Sequence, residues 1–453
     1  MIDLIVYAAA FIVALGILVV VHEFGHFWVA RVLGVKVLRF SVGFGKALWQ
    51  RRVGKDRMEL VVAAVPLGGY VKMLDENEGP VAARDKRRAF NRQPIWKRMA
   101  IVVAGPMFNF MFAVLAYWLV FVVGVTGLKP VVGHVVAESY AAKAGFQAGD
   151  EILTIDGEPI VAWDQRRLYL FRKALSHDSV EFVVRDPKGN TQERTLDLTQ
   201  FPVSRVNAAL LERGIGLVGY LPDVLPVIAV VEPGPAKDAG MQVGDEIVAI
   251  NGDPVRDWTV IRDRISAQPG QPMLITVRRQ GAPHEFTVTP AKVEVNGKTI
   301  GRINVAPSLA PLPEHMKVRL AYGPWDALME SVDNTWSMSV LTLEMLYRML
   351  KLEVSTKNIS GPLTIAQYAG HSARIGVVQF ITFLAVISIS LGVINLLPIP
   401  ILDGGHLLYY VIEAIKGSPV SERTLVWGQQ FGIAVLVALM TLAFYNDITR
   451  LFH

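Results

Sequence analysis

The sequence predicts a polytopic α-helical membrane protein with a large α+β insert. Three observations predict it. Four apolar stretches, near residues 4–29, 99–125, 375–397 and 426–445, each hold about the 20 residues that a bilayer crossing needs. The chain of 453 residues is 52% hydrophobic, too apolar for a soluble protein of this length. Between the second and third stretches, residues 129–160 return as 225–255.

The first span carries the chemistry. It ends in His22-Glu23-Phe24-Gly25-His26. Residues four apart share a helical face, so His22 and His26 can aim both imidazoles at one metal ion. Glu23 lies beside them and can reach a water held there. Two ligands and a general base on one turn form the zincin pattern. Short patterns also arise by accident: His284-Glu285-Phe286 repeats the lettering without a second His. Ionisable groups deep in an apolar helix are costly and mark function by default; the alternative is a buried polar network. The span is long and lacks a basic leader, so it reads as retained rather than as a signal peptide.

Charge sets the orientation. Residues 31–98 carry 16 Lys and Arg against 6 Asp and Glu, while residues 1–30 carry no Lys or Arg. The positive-inside rule then makes the 31–98 loop cytoplasmic. The N-terminus, the insert 126–374 and the C-terminus fall outside, in the periplasm of a Gram-negative cell. Lys416 and Arg423 place the loop around 405–425 inside. The net charge of +5 is explained by these flanks, and no nucleic-acid partner is called for. The chain has no Cys, which excludes disulfides, thiolate ligands and a thiol nucleophile.

Within the first loop, Met58–Val65 and Tyr70–Leu74 are strand candidates, and Gly68-Gly69 is a turn signal. With Gly43-Phe44-Gly45 they can form a small sheet dipping towards the active site. Its edge can hold an unwound substrate as an added strand; the alternative is a surface hairpin. Arg84–Arg98 is basic with Phe90, Ile95 and Trp96, an interfacial segment before the second span.

In the insert, Ala144–Ile160 matches Ala239–Val255 residue by residue at a constant offset. Alternating apolar residues around Asp156-Gly157 and Asn251-Gly252 read as strand, hairpin, strand. Helix candidates follow at Gln165–Leu175 and Val260–Ser266. Gly214-Ile215-Gly216-Leu217 is either a carboxylate-binding nest or a closing strand, since Ile300-Gly301 recurs. Trp325–Leu352 carries Asp326, Glu330, Asp333, Glu344, Arg348 and Lys351, and reads as amphipathic helix rather than a fifth span. Parity agrees, because an extra crossing separates the ends of spans one and three.

Two His leave a catalytic zinc short of its usual three protein ligands. Span three ends in Asn395-Leu396-Leu397-Pro398-Ile399-Pro400-Ile401-Leu402-Asp403-Gly404-Gly405-His406. Pro398 and Pro400 open the helix, and irregular backbone at membrane depth is tolerated only inside protein or along a wet cavity. Asp403 on that turn can face the His pair; its bland role is a helix cap, and His406 is a competing ligand. At about 1.5 Å per residue, His22 lies about 27 Å from Leu4 and Asn395 about 30 Å from Ile375. Both ends therefore lie near the cytoplasmic side.

HEFGH in a first span, NxxPxxxLDGG in a later one and the repeats between them resemble the site-2 protease family of intramembrane zinc metalloproteases. The likeness extends through Gly43-Phe44-Gly45-Lys46, Pro66–Lys72 and Gly105-Pro106-Met107-Phe108-Asn109-Phe110. It implies that His22, His26 and Asp403 bind Zn2+ and that Glu23 is the catalytic base. It also implies that Asn109 and Asn395 lie near the scissile peptide, binding substrate or supporting the oxyanion; helix–helix hydrogen bonding is their alternative. The repeats resemble PDZ domains of bacterial proteases. The implied layout is two spans with a β loop over 1–126, PDZ-like domains over 127–221 and 222–310, amphipathic linker helices over 311–374, and spans three and four over 375–453. The implied function is regulated intramembrane proteolysis in a bacterial inner membrane, within an envelope stress response. Its substrates are single-pass membrane proteins such as a trimmed anti-sigma factor or signal-peptide remnants, with peptide ligands for the PDZ-like units. The alternative is a membrane-anchored PDZ adaptor with an inert or structural metal. A metal transporter fits less well, because spans two and four offer no further run of acidic or His ligands.

Overall fold

Largely apolar residues with no Lys or Arg before Arg31 make Ile2–Val32 one continuous helix, α1. The computed structural model describes residues 2–165, 167–202, 210–295, 297–354 and 359–451. After α1 come two long strands, β1 (Val37–Val53) and β2 (Met58–Met73), and a second long helix, α2 (Ile95–Val123). The basic segment between β2 and α2 forms short 3-10 turns over Ala83–Arg88 and Phe90–Arg92. The insert opens with β3 (Val125–Leu128), β4 (Val132–Val135), α3 (Tyr140–Lys143), β5 (Glu151–Ile155), β6 (Glu158–Pro159), α4 (Arg167–Ser176), β7 (Val180–Arg185), β8 (Thr191–Leu196) and β9 (Leu217–Gly219). It continues with β10 (Val224–Val231), α5 (Pro235–Asp238), β11 (Glu246–Ile250), β12 (Asp253–Pro254), α6 (Trp258–Ser266), β13 (Met273–Arg279), β14 (Ala282–Val288), β15 (Ala291–Val295), β16 (Lys298–Arg302), β17 (Val305–Leu309) and β18 (Lys317–Leu320). Five helices end the chain: α7 (Pro324–Leu350), α8 (Pro362–Ile375), α9 (Val377–Asn395), α10 (Asp403–Lys416) and α11 (Glu422–Leu451). The chain divides into two units, residues 1–130 with 135–217 and 319–453, and residues 131–134 with 218–318.

Among the described residues four helices, α1, α2, α9 and α11, are long and apolar enough to cross a membrane. They are the four expected spans. Large apolar side chains on α11 face outward, with Trp427 74% and Phe431 65% exposed, as lipid-facing residues must. α7 is not among the spans. It buries Ala327, Ser331 and Thr335 at four-residue intervals, with Ser337 and Leu341 further round, and Trp118 of α2 donates to the Pro324 carbonyl at its start. This is the amphipathic helix expected over 325–352. A cavity of about 660 Å³ opens between α2, α4 and α7, lined among others by Tyr117, Phe121, Tyr169 and Asp333.

α11 also holds the start of α8. Asp447 is 1% exposed and accepts from the backbone N–H groups of Gly361, Leu363 and Thr364 and from the Thr364 hydroxyl. The N-cap of α8, Gly361, has no capping side chain of its own, so the acceptor comes from another helix. The free N–H groups and the positive helix end favour a carboxylate there.

The loop after α1 is a curled hairpin. β1 and β2 pair antiparallel along their length, from Val37↔Met73 to Val53↔Met58. The hairpin then folds back on itself, so that residues 39–42 also lie beside residues 59–62. Gly43 and Gly45, at φ 94° and 84°, supply the bend. A Cβ on Gly43 would sit 2.9 Å from the Val65 carbonyl oxygen. Gly68-Gly69, expected as a turn, instead falls inside β2, opposite that bend. The sequence cue for a chain reversal was met by the partner strand's glycines. Residues 69–73 are left along one edge. The hairpin tip is tied down by Arg88, whose two bonds to Asp56, 2.8 and 2.6 Å long, hold that carboxyl below its usual range.

The repeat is real in three dimensions. Each copy places a one-turn helix, a strand, a two-residue turn, a longer helix and a strand pair in the same order. Both turn dipeptides have positive φ at each residue, 47° and 80° at Asp156-Gly157 and 53° and 84° at Asn251-Gly252. That is the type I′ hairpin which Asp-Gly and Asn-Gly favour. The first copy forms the sheet β6-β5-β7-β8, and the second forms β14-β13-β11-β10-β17. Arg166, in the expected helix Gln165–Leu175, lies outside the described residues. Of Gly214-Ile215-Gly216-Leu217, the first two residues end a helical segment over Leu210–Ile215 and only Leu217 enters a strand, β9. Ile300-Gly301 lies in the β15–β16 hairpin, and the strand closing the second copy is β17, on β10.

Candidate metal centre

The centre is built where α1 crosses α2. Gly25 permits the approach, since a Cβ there would fall 2.4 Å from the Ala104 carbonyl oxygen. On α2, Ile101, Gly105 and Asn109 stand at four-residue intervals and so form one stripe. That stripe meets His22 and His26. The Ile101 carbonyl lies 2.8 Å from His26 Nδ1, and Asn109 Nδ2 lies 3.1 Å from His22 Nδ1. Pro106 within the same stretch removes a helix N–H and loosens the ladder here. Gly105 leaves room for both rings. A methyl at that position would lie 2.3 Å from His26 Nε2 and 2.8 Å from His22 Cε1.

The third donor arrives from α9 and α10. Pro398 and Pro400 end α9 at Asn395, and residues 396–402 run irregularly to Asp403, the first residue of α10. Ile401 adopts φ 114°, a strained conformation for a β-branched residue. Gly404 and Gly405 pack so tightly that added Cβ atoms would lie 2.2 Å from the Leu397 oxygen and 2.4 Å from the Ile399 oxygen. α11 presses Gly432 onto Pro400 from behind. Arg98 of α2 binds Glu413 of α10 at 2.6 and 3.2 Å and stacks over Tyr410 at 4.9 Å, which fixes the helix that Asp403 begins. The cap role considered for Asp403 is absent, because Leu402 holds the N-cap position.

His22 Nε2 and His26 Nε2 lie 3.2 Å apart. Asp403 Oδ2 lies 3.2 Å from the first and 3.5 Å from the second. A tetrahedral zinc site with bonds of about 2.0–2.1 Å has ligand–ligand edges of about 3.3–3.4 Å, so the triangle has the right size. Asp403 Oδ2 is buried and has no hydrogen-bond donor. With Nδ1 of His26 directed at a carbonyl, its proton is there and Nε2 presents a lone pair. Electron pairs converging from imidazole and carboxylate repel unless a cation sits among them. The residues present therefore fit a divalent metal of zinc's type. Among the described residues this is the group of His, Asp and Glu assembled closely enough to hold one.

Glu23 stands apart from the triangle. It lines a cleft of about 270 Å³ with His26, Val71, Met73, Asp403, His406 and Tyr410. The Val71 backbone N–H lies near its carboxylate, and a Cβ on Gly69 would crowd its Cγ at 3.0 Å. The edge 69–73 of the curled hairpin thus runs along the general-base candidate. Of the other expected site residues, His406 faces the cleft but lies outside the triangle. Asn109 reaches the centre from behind His22. Asn395 is half-buried at the last turn of α9, and the cleft lining does not include it. Sequence reasoning missed Gly105, the Ile101 carbonyl and the Val71 amide. The signal for the first two was the four-residue spacing with Asn109 beside a mid-helix proline.

We expect Gly105→Ala to abolish metal binding with the fold intact. The added methyl must displace an imidazole by more than 1 Å to reach ordinary contact. Metal content of the purified chain should fall to background while its melting temperature stays near the parent's.

Two imidazoles, a carboxylate and a free glutamate inside a bundle of membrane-spanning helices define an intramembrane metallopeptidase. Comparison with known proteins agrees. The model of peptidase family M50 matches residues 10–439. The regulator of sigma-E protease RseP of Salmonella typhimurium is 45% identical over 452 residues, 98% of each chain. That of Escherichia coli is 45% identical over 446 residues, again 98% of each. A Vibrio cholerae protein whose name includes "zinc metalloprotease" is 42% identical over 450 residues, also 98% of each. The chain belongs to peptidase family M50, the site-2 proteases, and is a multi-pass protein of the bacterial inner membrane.

Proposed function

We propose that His22, His26 and Asp403 hold Zn2+, and that Glu23 is the general base and acid for peptide hydrolysis within the membrane. The convergence of three donors at 3.2–3.5 Å, with Glu23 on the adjoining cleft, carries this reading. Bound zinc supplies a Lewis acid that acidifies water and polarises a carbonyl. Glu23 takes a proton from the attacking water and delivers it to the leaving amine. The Val71 N–H steadies the carboxylate between these events. A substrate helix must unwind to expose a carbonyl, and edge 69–73 offers an extended backbone to pair with. Asn395, at the mouth of the α9 break, serves the bound peptide.

The substrates are single-pass membrane proteins. The sigma-E regulation in the relatives' names points to a trimmed membrane anti-sigma factor, and signal-peptide remnants have the same chemistry. The basic loop 31–98 and the loop around 405–425 are cytoplasmic, while both termini and the insert are periplasmic. Residues 127–221 and 222–310 act as PDZ-like units that screen substrates by their outer segments or bind their peptides. An adaptor would have no use for a carboxylate beside the metal triangle.

The test is the full chain in detergent with a single-pass peptide. We expect cleavage inside the apolar segment, stopped by a chelator and restored by zinc. Cleavage indifferent to metal would reject the reading.

A further inference from the structure

Asn109 lies in the middle of apolar α2 with 0% exposure. Its Nδ2 is 3.1 Å from His22 Nδ1, and its Oδ1 is buried with no donor. Its backbone carbonyl accepts from Ser388 of α9, so the residue is held in place. The side-chain contact has one productive sense. His22 can offer an Nε2 lone pair to a metal only if Nδ1 carries the proton. A protonated Nδ1 needs an acceptor, and an amide NH2 is a donor. A half-turn of the amide exchanges the two groups, an acceptor without hydrogens and a donor with two, which differ little in shape. Oδ1, otherwise without a donor, then accepts from Nδ1–H.

His26 has the matching arrangement, with its Nδ1 on the Ile101 carbonyl, a group that can only accept. Two acceptors on one stripe of α2, with Gly105 between them, face two imidazoles of α1. The ring of His22 stands between Asn109 and the Asp403 side of the centre, since Nδ1 and Nε2 point opposite ways. The amide is itself fully buried, at 0% exposure.

We propose that Asn109 is a positioning residue of the metal centre: its amide oxygen holds His22 as the Nδ1–H tautomer and aims Nε2 at the metal. This replaces a substrate or oxyanion role for Asn109, and it rests on His22 being a metal ligand.

The experiment measures zinc affinity of the purified full chain by competition with a chromophoric chelator, for the parent, Asn109→Leu and Asn109→Asp. Leu keeps the volume without an acceptor, and Asp keeps the acceptor. Outer-sphere partners of metal-bound His typically contribute about 10–100-fold in affinity. We expect Asn109→Leu to lose about that much, and Asn109→Asp to bind within a few-fold of the parent or tighter. Parental affinity in Asn109→Leu with turnover lost would overturn the proposal in favour of an oxyanion role. Equal loss in both variants, with a lowered melting temperature of the metal-free protein, would overturn it in favour of packing alone. Zinc binding that survives His22→Ala would instead sink the ligand reading beneath it.

Discussion

Glu23→Gln is expected to leave a folded, zinc-loaded protein that does not cut. Gln has the shape of Glu and can still accept the Val71 N–H through its carbonyl oxygen. It cannot take a proton from water. The metal should stay, because Glu23 is not one of the three donors within 4.8 Å of one another. Positioned proton transfer is worth roughly 10²–10⁴-fold in rate, and the initial rate on a single-pass peptide should fall by at least the lower figure. Zinc content by elemental analysis should match the parent. A variant retaining a tenth of the parental rate would remove Glu23 from the mechanism. A variant that lost zinc would place it in the coordination sphere.

The readable parts of this protein are those fixed by short-range periodicity. Apolar runs of bilayer length gave all four spans. The spacing of His22 and His26 placed both imidazoles on one side of α1, and the paired turn dipeptides gave the duplicated insert. Contacts made by backbone were not readable. The carbonyl of Ile101 and the amide of Val71 carry no letter in the sequence. Gly105 was visible as a letter, but its role depends on which helix crosses it. Gly68-Gly69 shows the same limit from the other side. Two glycines mark a place where a side chain would intrude, here between Glu23, Ser41 and Phe44, and a turn is only one cause of that. Asn109 was expected beside the scissile peptide and lies 3.1 Å from His22 Nδ1, because a buried polar side chain does not say whether it faces the substrate or the back of an imidazole.

Asp403→Ala and His406→Ala should separate cleanly. The two residues lie on one face of α10, one turn apart, and both line the cleft. Only Asp403 enters the triangle, at 3.2 and 3.5 Å from the imidazole nitrogens. It is held there by a strained Ile401 and by glycines too tightly packed to accept a side chain. Removing it leaves two neutral imidazoles facing the cation. That loses a third of the donor set and its whole negative charge. The drop in zinc affinity should therefore exceed the roughly 10–100-fold that outer contacts control, and the purified variant should be essentially metal-free. His406→Ala should keep its zinc, with any effect falling on the cleavage rate. The reverse pattern would move the third ligand one helical turn along α10. The strain at Ile401 would then serve no purpose in the centre, because a residue inside the helix needs no special backbone before its first turn.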